Sequence, residues 1–313
     1  MPNAAPNRPP PERPRAMSAL RDALFTSPLA SGLLARTTFP LDDHLHCAVS
    51  GGADSLALLM LACRTERPVT AWHVDHGLRK NSADDHLYVR QVAESLGVDT
   101  ELRTVRVEPG TNLEARARDA RLGALPPEVL TGHTADDQAE TVLINLLRGA
   151  GTAGLAGMRR DRHPLLGLRR AETRALCAAF GVRPLHDPMN EEPRFQRVRV
   201  REELMPLLVE ISKRDIVDVL VRQAEVLRDD NDLLDELAAM IDVTDAKVLS
   251  AAPVALARRA VRQWLANPLP PDASTIERVL AVARGDAAAC DIGAGRQVRR
   301  SRQRLGLHDI RVL

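Results

Sequence analysis

From His44 to Arg148 the chain alternates short apolar runs with helix-length segments, and this alternation limits the folds open to it. His44–Val49, Val69–Val74, Leu102–Val107 and the shorter Val129–Thr131 read as strands. Each is followed by a helical segment: Ala53–Arg64, Ser82–Leu96, Asn112–Leu125 and Ala135–Arg148. Repeated β–α–β–α spacing predicts an α/β fold, a parallel sheet with helices on both faces. The first helix is apolar nearly all round, so it should be buried. Ligands of such sheets bind beyond the carboxyl ends of the strands.

After Gly149 the pattern changes. A turn with Gly149, Gly151, Gly154 and Gly157 leads to a helix around Ala171–Phe180, and Pro184, Pro188 and Pro193 punctuate the loop beyond it. From about Val200 to Val243 apolar residues recur at helical spacing. Helices over Pro253–Ala266 and Asp272–Arg284 then precede a glycine-punctuated strand region. The chain thus divides into a disordered proline-rich tail (1–16), an α/β domain (17–214) and a smaller, mainly helical domain (215–313) whose apolar helices suit a dimer contact or a binding platform. The tail carries six prolines in its first fourteen residues and no apolar signal core.

Composition narrows the function. The longest apolar run, Leu56–Cys63, falls short of the ~18 residues that span a bilayer. Cys47, Cys63, Cys177 and Cys290 are far apart, which argues against zinc, an iron–sulfur cluster or a disulfide framework and suits a reducing cytoplasm. Net charge is +1, so no global basic signature of nucleic-acid binding exists. The cations do cluster: four arginines fall between Arg194 and Arg201, and five between Arg296 and Arg304 with no acid among them. Such patches attract phosphates locally, because screening limits each charge to a reach of about 10 Å.

The segment Ser50–Ser55, SGGADS, joins the first strand to the apolar helix. Gly51 and Gly52 let backbone approach an anion closely. The loop N–H groups, that of Ala53 included, and the helix N-terminus supply partial positive charge. Ser50 and Ser55 add hydroxyl donors. Asp54 suits either a magnesium ion or a capping role. No lysine follows as in a Walker loop. A second segment, TGHTADDQAET (Thr131–Thr141), places Thr134 and Asp137 as a capping-box pair at a helix start. It sets His133, Asp136, Asp137 and Glu140 within about a turn of each other. Acids there also complement the helix dipole, for ~0.3–1 kcal/mol each.

The SGGxDS loop resembles that of the PP-loop ATPases. Taken with HVDHGLR (His73–Arg79), NLEARARDAR (Asn112–Arg121), TGHTADDQAET and LLRGAGTAGLAGM (Leu146–Met158), in this order, the chain resembles the tRNA(Ile)-lysidine synthetases over residues 44 to 210. DPMN (Asp187–Asn190) and the Arg197–Arg201 cluster fit later positions of that pattern. Leu122 stands where an aromatic is usual, and Val198 where an asparagine is usual. The resemblance implies ATP and magnesium as cofactors, with Asp54 at the metal. Its implied substrates are free L-lysine and an isoleucine tRNA with a CAU anticodon.

It further implies ATP contacts from the Ser50–Ser55 loop and His76, and puts His133 at the ATP and the adenylated base. Asp136, Asp137, Glu140, Arg118 and Arg201 fall at the reaction or the lysine. Within the Arg159–Arg174 and Arg194–Arg201 runs, Arg159, Arg160, Arg194, Arg197 and Arg199 fall on the RNA. Alternatives stay open. A PP-loop tRNA thiolase would call for paired cysteines. A non-catalytic adenine-nucleotide sensor would need the loop without the acids. An amide-forming ligase would call for an N-terminal cysteine, where this chain has Met1 and Pro2.

Overall fold

The structure, a computed structural model, describes residues 19–75, 82–105, 120, 123–185, 196–267 and 270–310. The chain divides into two units, one built from residues 1–150 and 157–222, the other from 151–156 and 223–313.

The first unit opens with α1 (Ala19–Thr26) and α2 (Pro28–Leu34), then β1 (Leu45–Ala48), α3 (Ala53–Cys63), β2 (Val69–Asp75), α4 (Ser82–Leu96) and β3 (Asp99–Thr104). The strands pair in parallel in the order β1-β2-β3, with Leu45 opposite Val69 and Thr70 opposite Asp99. A fourth segment joins on the far side of β1, where Leu130 bridges Cys47 in parallel. Chain order therefore reverses between β1 and Leu130. Helix α3 backs β1 and β2, and its residues Leu56 to Ala62 are all fully buried. It packs on α7 (Arg170–Ala179), which follows α5 (Ala135–Leu147) and the short α6 (Thr152–Leu155).

Strand β3 begins at Asp99, three residues before the expected Leu102, and ends at Thr104. Nearly every residue of it is exposed, so this edge strand (Asp-Thr-Glu-Leu-Arg-Thr) never needed the apolar run that marks a buried one. Outside the described residues lie the proline-rich tail, His76, most of the expected helix Asn112–Leu125 with Arg118, Asp187–Asn190 and Arg194. The unit continues through a helical stretch: α8 (Gln196–Arg199), a π-helical turn (Val200–Leu204), α9 (Met205–Ser212) and the first residues of α10 (Ile216–Ala239).

The second unit holds the rest of α10, α11 (Ala246–Ala251), α12 (Val254–Trp264), α13 (Ala273–Arg284) and an antiparallel sheet of β4 (Ala289–Gly293), β5 (Arg296–Ser301) and β6 (Arg304–Asp309). Its core gathers Val261, Val279, Leu280 and Val298, all at most 2% exposed. Asp272 caps α13 by accepting from Thr275 N–H at 2.7 Å. Arg259 reaches Asp235 at 2.7 Å and Asn231 at 2.5 Å, and Asn231 Oδ1 accepts from Thr152 at 3.0 Å, which ties the glycine-rich turn into this unit.

The β5–β6 turn places Arg302 and Gln303 at φ 47° and 66°, a pair of left-handed residues that hairpins usually give to Asn-Gly. Replacing Arg302-Gln303 by Asn-Gly should relieve about 1 kcal/mol of backbone strain. Amide exchange in β5 and β6 should slow accordingly; unchanged exchange would show the turn to be unstrained.

Candidate active site

The carboxyl ends of β1 and of the Leu130 segment flank the point where strand order reverses, the crevice in which open α/β sheets bind ligands. Ser50–Ser55 leaves β1 there. Gly51 has φ +88°, and a Cβ on it would stand 2.5 Å from the Leu185 side chain. Gly52 is the N-cap of α3. Ser55 Oγ accepts from Ser50 N–H at 3.2 Å and donates to Gly52 O at 2.9 Å, so the loop is folded on itself around the helix N-terminus. Ala53, the first residue of α3, has its carbonyl 3.5 Å from Cys177 Sγ. Gly132 lies so close to this loop that a Cβ would fall 2.5 Å from Asp54 O.

Asp54 opens α3 on the side facing α7. Thr173 donates its hydroxyl to Asp54 Oδ1, and Arg170 Nε lies 3.8 Å from Oδ2. Burial lifts the Asp54 carboxyl above its ordinary range, the Thr173 bond opposes it, and Asp137 nearby adds to the rise.

The three acids of α5 have distinct surroundings. Asp136 accepts from the backbone N–H of Arg170 at 2.8 Å, at the head of α7, and pairs with Arg169 at 3.3 Å. Asp137 closes its own helix end, accepting from Thr134 N–H and Oγ1–H at 2.8 Å each. It also pairs with Arg170 at 2.7 Å and Arg197 at 3.3 Å. Burial works to raise the Asp137 carboxyl, but Arg170, Arg197 and His133 outweigh it and hold the group down at about 2. Glu140 is fully buried beneath three guanidiniums, with Arg197 Nε and Arg201 Nε each at 2.7 Å and Arg170 Nη2 at 3.1 Å. Arg197 in α8 and Arg201 in the π-helical turn that continues it are four residues apart, which puts them on one face of the helical stretch.

Asp136, Glu140, Arg170 and Arg201 line one cavity of about 670 Å³ whose walls also include Met205 and Lys213. Its described lining has five cationic side chains against three acidic ones.

A family model described as a PP-loop domain matches residues 33–208, and one described as a TilS substrate binding domain matches residues 245–306. The tRNA(Ile)-lysidine synthase of Nocardia farcinica is 44% identical over 236 residues, covering 70% of this chain and 74% of that protein. That of Rhodococcus erythropolis is 42% identical over 272 residues, covering 82% and 81%. The chain belongs to the tRNA(Ile)-lysidine synthase family. In fold this lysidine synthase family member is also similar to the solved U34-tRNA thiolase NcsA from Methanococcus maripaludis with its 4Fe–4S cluster. That likeness has TM-score 0.50 and 18% identity over 67% of this chain and 80% of the other.

For this lysidine synthase family member, the structure brings Ser50–Ser55, Asp136, Asp137, Glu140, Arg201 and, one residue past Gly132, His133 to the same end of the sheet. Arg197, expected on the RNA face, is committed to Asp137 and Glu140. Arg159 is exposed and Arg160 half-buried. Arg199 is exposed and pairs with Glu203 at 2.8 Å. Arg170 and Thr173 carry no mark in the sequence. Arg170 stands within the Arg159–Arg174 run expected on the RNA, and only its place one residue after Arg169, which with Glu172 opens α7, could have turned it inward.

The acid cluster predicts two outcomes. Glu140→Gln leaves guanidiniums without their counter-charge and should cost about 3–5 kcal/mol in urea unfolding. The depressed Asp137 contributes stability that is present above its unfolded pKa of about 3.9 and is lost as pH falls through about 2. The urea midpoint should therefore fall more between pH 4 and 2 for the native chain than for Asp137→Asn; parallel falls would remove the carboxylate from the account.

Proposed function

We propose that this chain ligates free L-lysine to C2 of the wobble cytidine in the CAU anticodon of an isoleucine tRNA. ATP first adenylates the C2 oxygen of that cytidine with release of pyrophosphate. The lysine amine then displaces AMP. The observation that carries the reading is the juxtaposition of a phosphate-shaped loop and a cavity of mixed charge at one sheet end. A tRNA substrate and free lysine place the reaction in the cytoplasm.

The loop N–H groups and the α3 N-terminus take the phosphates. Asp54 would hold magnesium: its side chain is 29% exposed and offers a hard oxygen at the loop, and this ion binds through one or two carboxylates together with phosphates. The metal supplies charge neutralisation at the polyphosphate. His133 meets the α-phosphate and the adenylated base. His76 and Arg118 extend the nucleotide site by family resemblance.

Free lysine carries a carboxylate and two ammonium groups, so a cavity with both signs of charge suits it. Of the three acids, Asp136 is the most open, with 19% of its side chain exposed against 12% for Asp137 and 1% for Glu140. Asp136 meets the ammonium most directly, and Glu140 acts by arranging arginines. The attacking amine must be neutral. With a reference pKa of about 10.4, the neutral fraction at pH 7 is roughly 10⁻³·⁴, a deficit of about 4.6 kcal/mol. The excess of cationic side chains around the cavity lowers the amine pKa and recovers part of this. Asp137 and Glu140, both held below the ordinary carboxylate range, bind cations better than they take protons.

Sulfur transfer is less compatible. Cys47, Cys63 and Cys177 are buried, and burial pushes the Cys63 thiol up to about 12 and the Cys177 thiol to about 11. Such thiols supply almost no thiolate at neutral pH.

Incubation with labelled lysine, ATP and the CAU-anticodon tRNA should place label in the RNA; no lysine label in that RNA, with sulfur entering it from a labelled sulfur donor instead, would favour the thiolase reading. Asp54→Ala should cut pyrophosphate release by about 10²-fold or more, and normal release would refute its role.

A further inference from the structure

His73 opens the HVDHGLR segment; it lies on β2 and is only 5% exposed. Its Nδ1 is 2.8 Å from Val49 O. A carbonyl oxygen can only accept, so the proton on this bond belongs to the imidazole, and Nδ1–H donates to Val49 O. His86 of α4 stands beside the ring, with centroids 5.8 Å apart.

The acceptor is the last residue before the Ser50–Ser55 loop, and the bond falls where the sheet stops. Register between β1 and β2 ends with Ala48 opposite Trp72, and Val49 N–H still donates to Trp72 O at 2.8 Å. Past that point the ladder gives way, and a side chain takes up the next carbonyl. A planar trans peptide points its C=O and the N–H that follows in opposite directions. With Val49 O turned to β2, Ser50 N–H faces away from β2 and meets Ser55 Oγ at 3.2 Å. Ser55 Oγ in turn donates to Gly52 O at 2.9 Å, and Gly52 N–H donates to Ser50 Oγ at 3.4 Å. The orientation of one peptide plane is thus passed on to the backbone of the loop.

Resting on the reading that this loop takes the polyphosphate, we infer that His73 is a positioning residue for it. Its Nδ1–H bond to Val49 O fixes the Val49–Ser50 peptide and, through that peptide, the turn that receives the anion. Val49 is 2% exposed. Its carbonyl, deprived of the imidazole, gains by turning to any other donor, and the loop turns with it. Groups that bind a reacting phosphate lose much of their effect when displaced by about 1 Å. The task needs the Nδ1 proton and not the charge of the ring.

Three replacements separate the bond from the packing. Asparagine puts an N–H where histidine has Nδ1, glutamine puts one nearer the place of Nε2, and phenylalanine keeps a ring without a donor. In the full chain, His73→Phe and His73→Gln should lower kcat/KM for ATP in pyrophosphate release by about 10²-fold, with KM for the tRNA little changed. His73→Asn should recover most of that loss, although its smaller side chain fills less of the core. Long-range ¹⁵N–¹H spectra with labelled histidine, assigned by His73→Asn, should show a proton on His73 Nδ1. A bare Nδ1, or a His73→Phe chain at least as active as His73→Asn, overturns the inference alone. Gly52→Val keeps an ordinary φ of −72° and sets a side chain against Ser50 Oγ in the loop. If that chain binds ATP as the native one does, the reading beneath the inference falls, and the inference with it.

Discussion

Two hydrogen bonds set the geometry on which everything else depends. Ala48 N–H donates to Leu130 O at 2.8 Å, and Leu130 N–H donates to His46 O at 2.7 Å. They add a fourth parallel segment on the side of β1 away from β2, so the chains on either side of this line leave the sheet in diverging directions. The phosphate loop departs from one and the Thr131–Asp137 segment from the other. Because β1 is backed by a helix with no exposed apolar residue from Leu56 to Ala62, neither loop can drift without opening the core. Gly132 allows the two backbones to touch where any side chain would push them apart.

On this frame the second organising force is electrostatic. A fully buried carboxylate is costly unless its charge is met, and Glu140 is met by three guanidiniums drawn from α7, α8 and the π-helical turn. That arrangement does more than neutralise a charge. It gathers arginines from distant parts of the sequence at the wall of one cavity, and Arg170 continues the network to Asp54 at the phosphate loop. The Ser50–Ser55 loop and the cavity therefore share one set of charges.

Much of this was legible in the sequence because the local signals were redundant. The all-apolar helix, the SGGADS turn before it and the Thr134–Asp137 capping pair each pointed to the same sheet end, and the helices α3, α4, α5 and α13 lie within a residue or two of where periodicity put them. The acids Asp136 and Asp137 read both ways in sequence, as caps and as site groups, and they are indeed bonded as caps. What escaped notice depends on contacts that spacing does not encode. Arg170 and Arg197 looked like RNA-facing arginines in a chain rich in them, and only the buried position of Glu140 turns them inward. Strand β3 was displaced because an exposed edge strand carries no apolar alternation. The β5–β6 turn carries Arg302-Gln303 in place of the glycine or asparagine that usually announces a hairpin. His163 sits thirty-two residues from Thr131, and nothing in either segment alone suggests that they meet.

The central claim is that the crevice between β1 and the Leu130 segment receives the polyphosphate. A crystal structure of the chain with a non-hydrolysable ATP analogue and magnesium tests it most directly. The account predicts phosphate oxygens on the backbone N–H groups of the Gly51–Ser55 turn, with Asp54 at the metal. A nucleotide bound elsewhere, with this turn closed on itself as in the free chain, would contradict it.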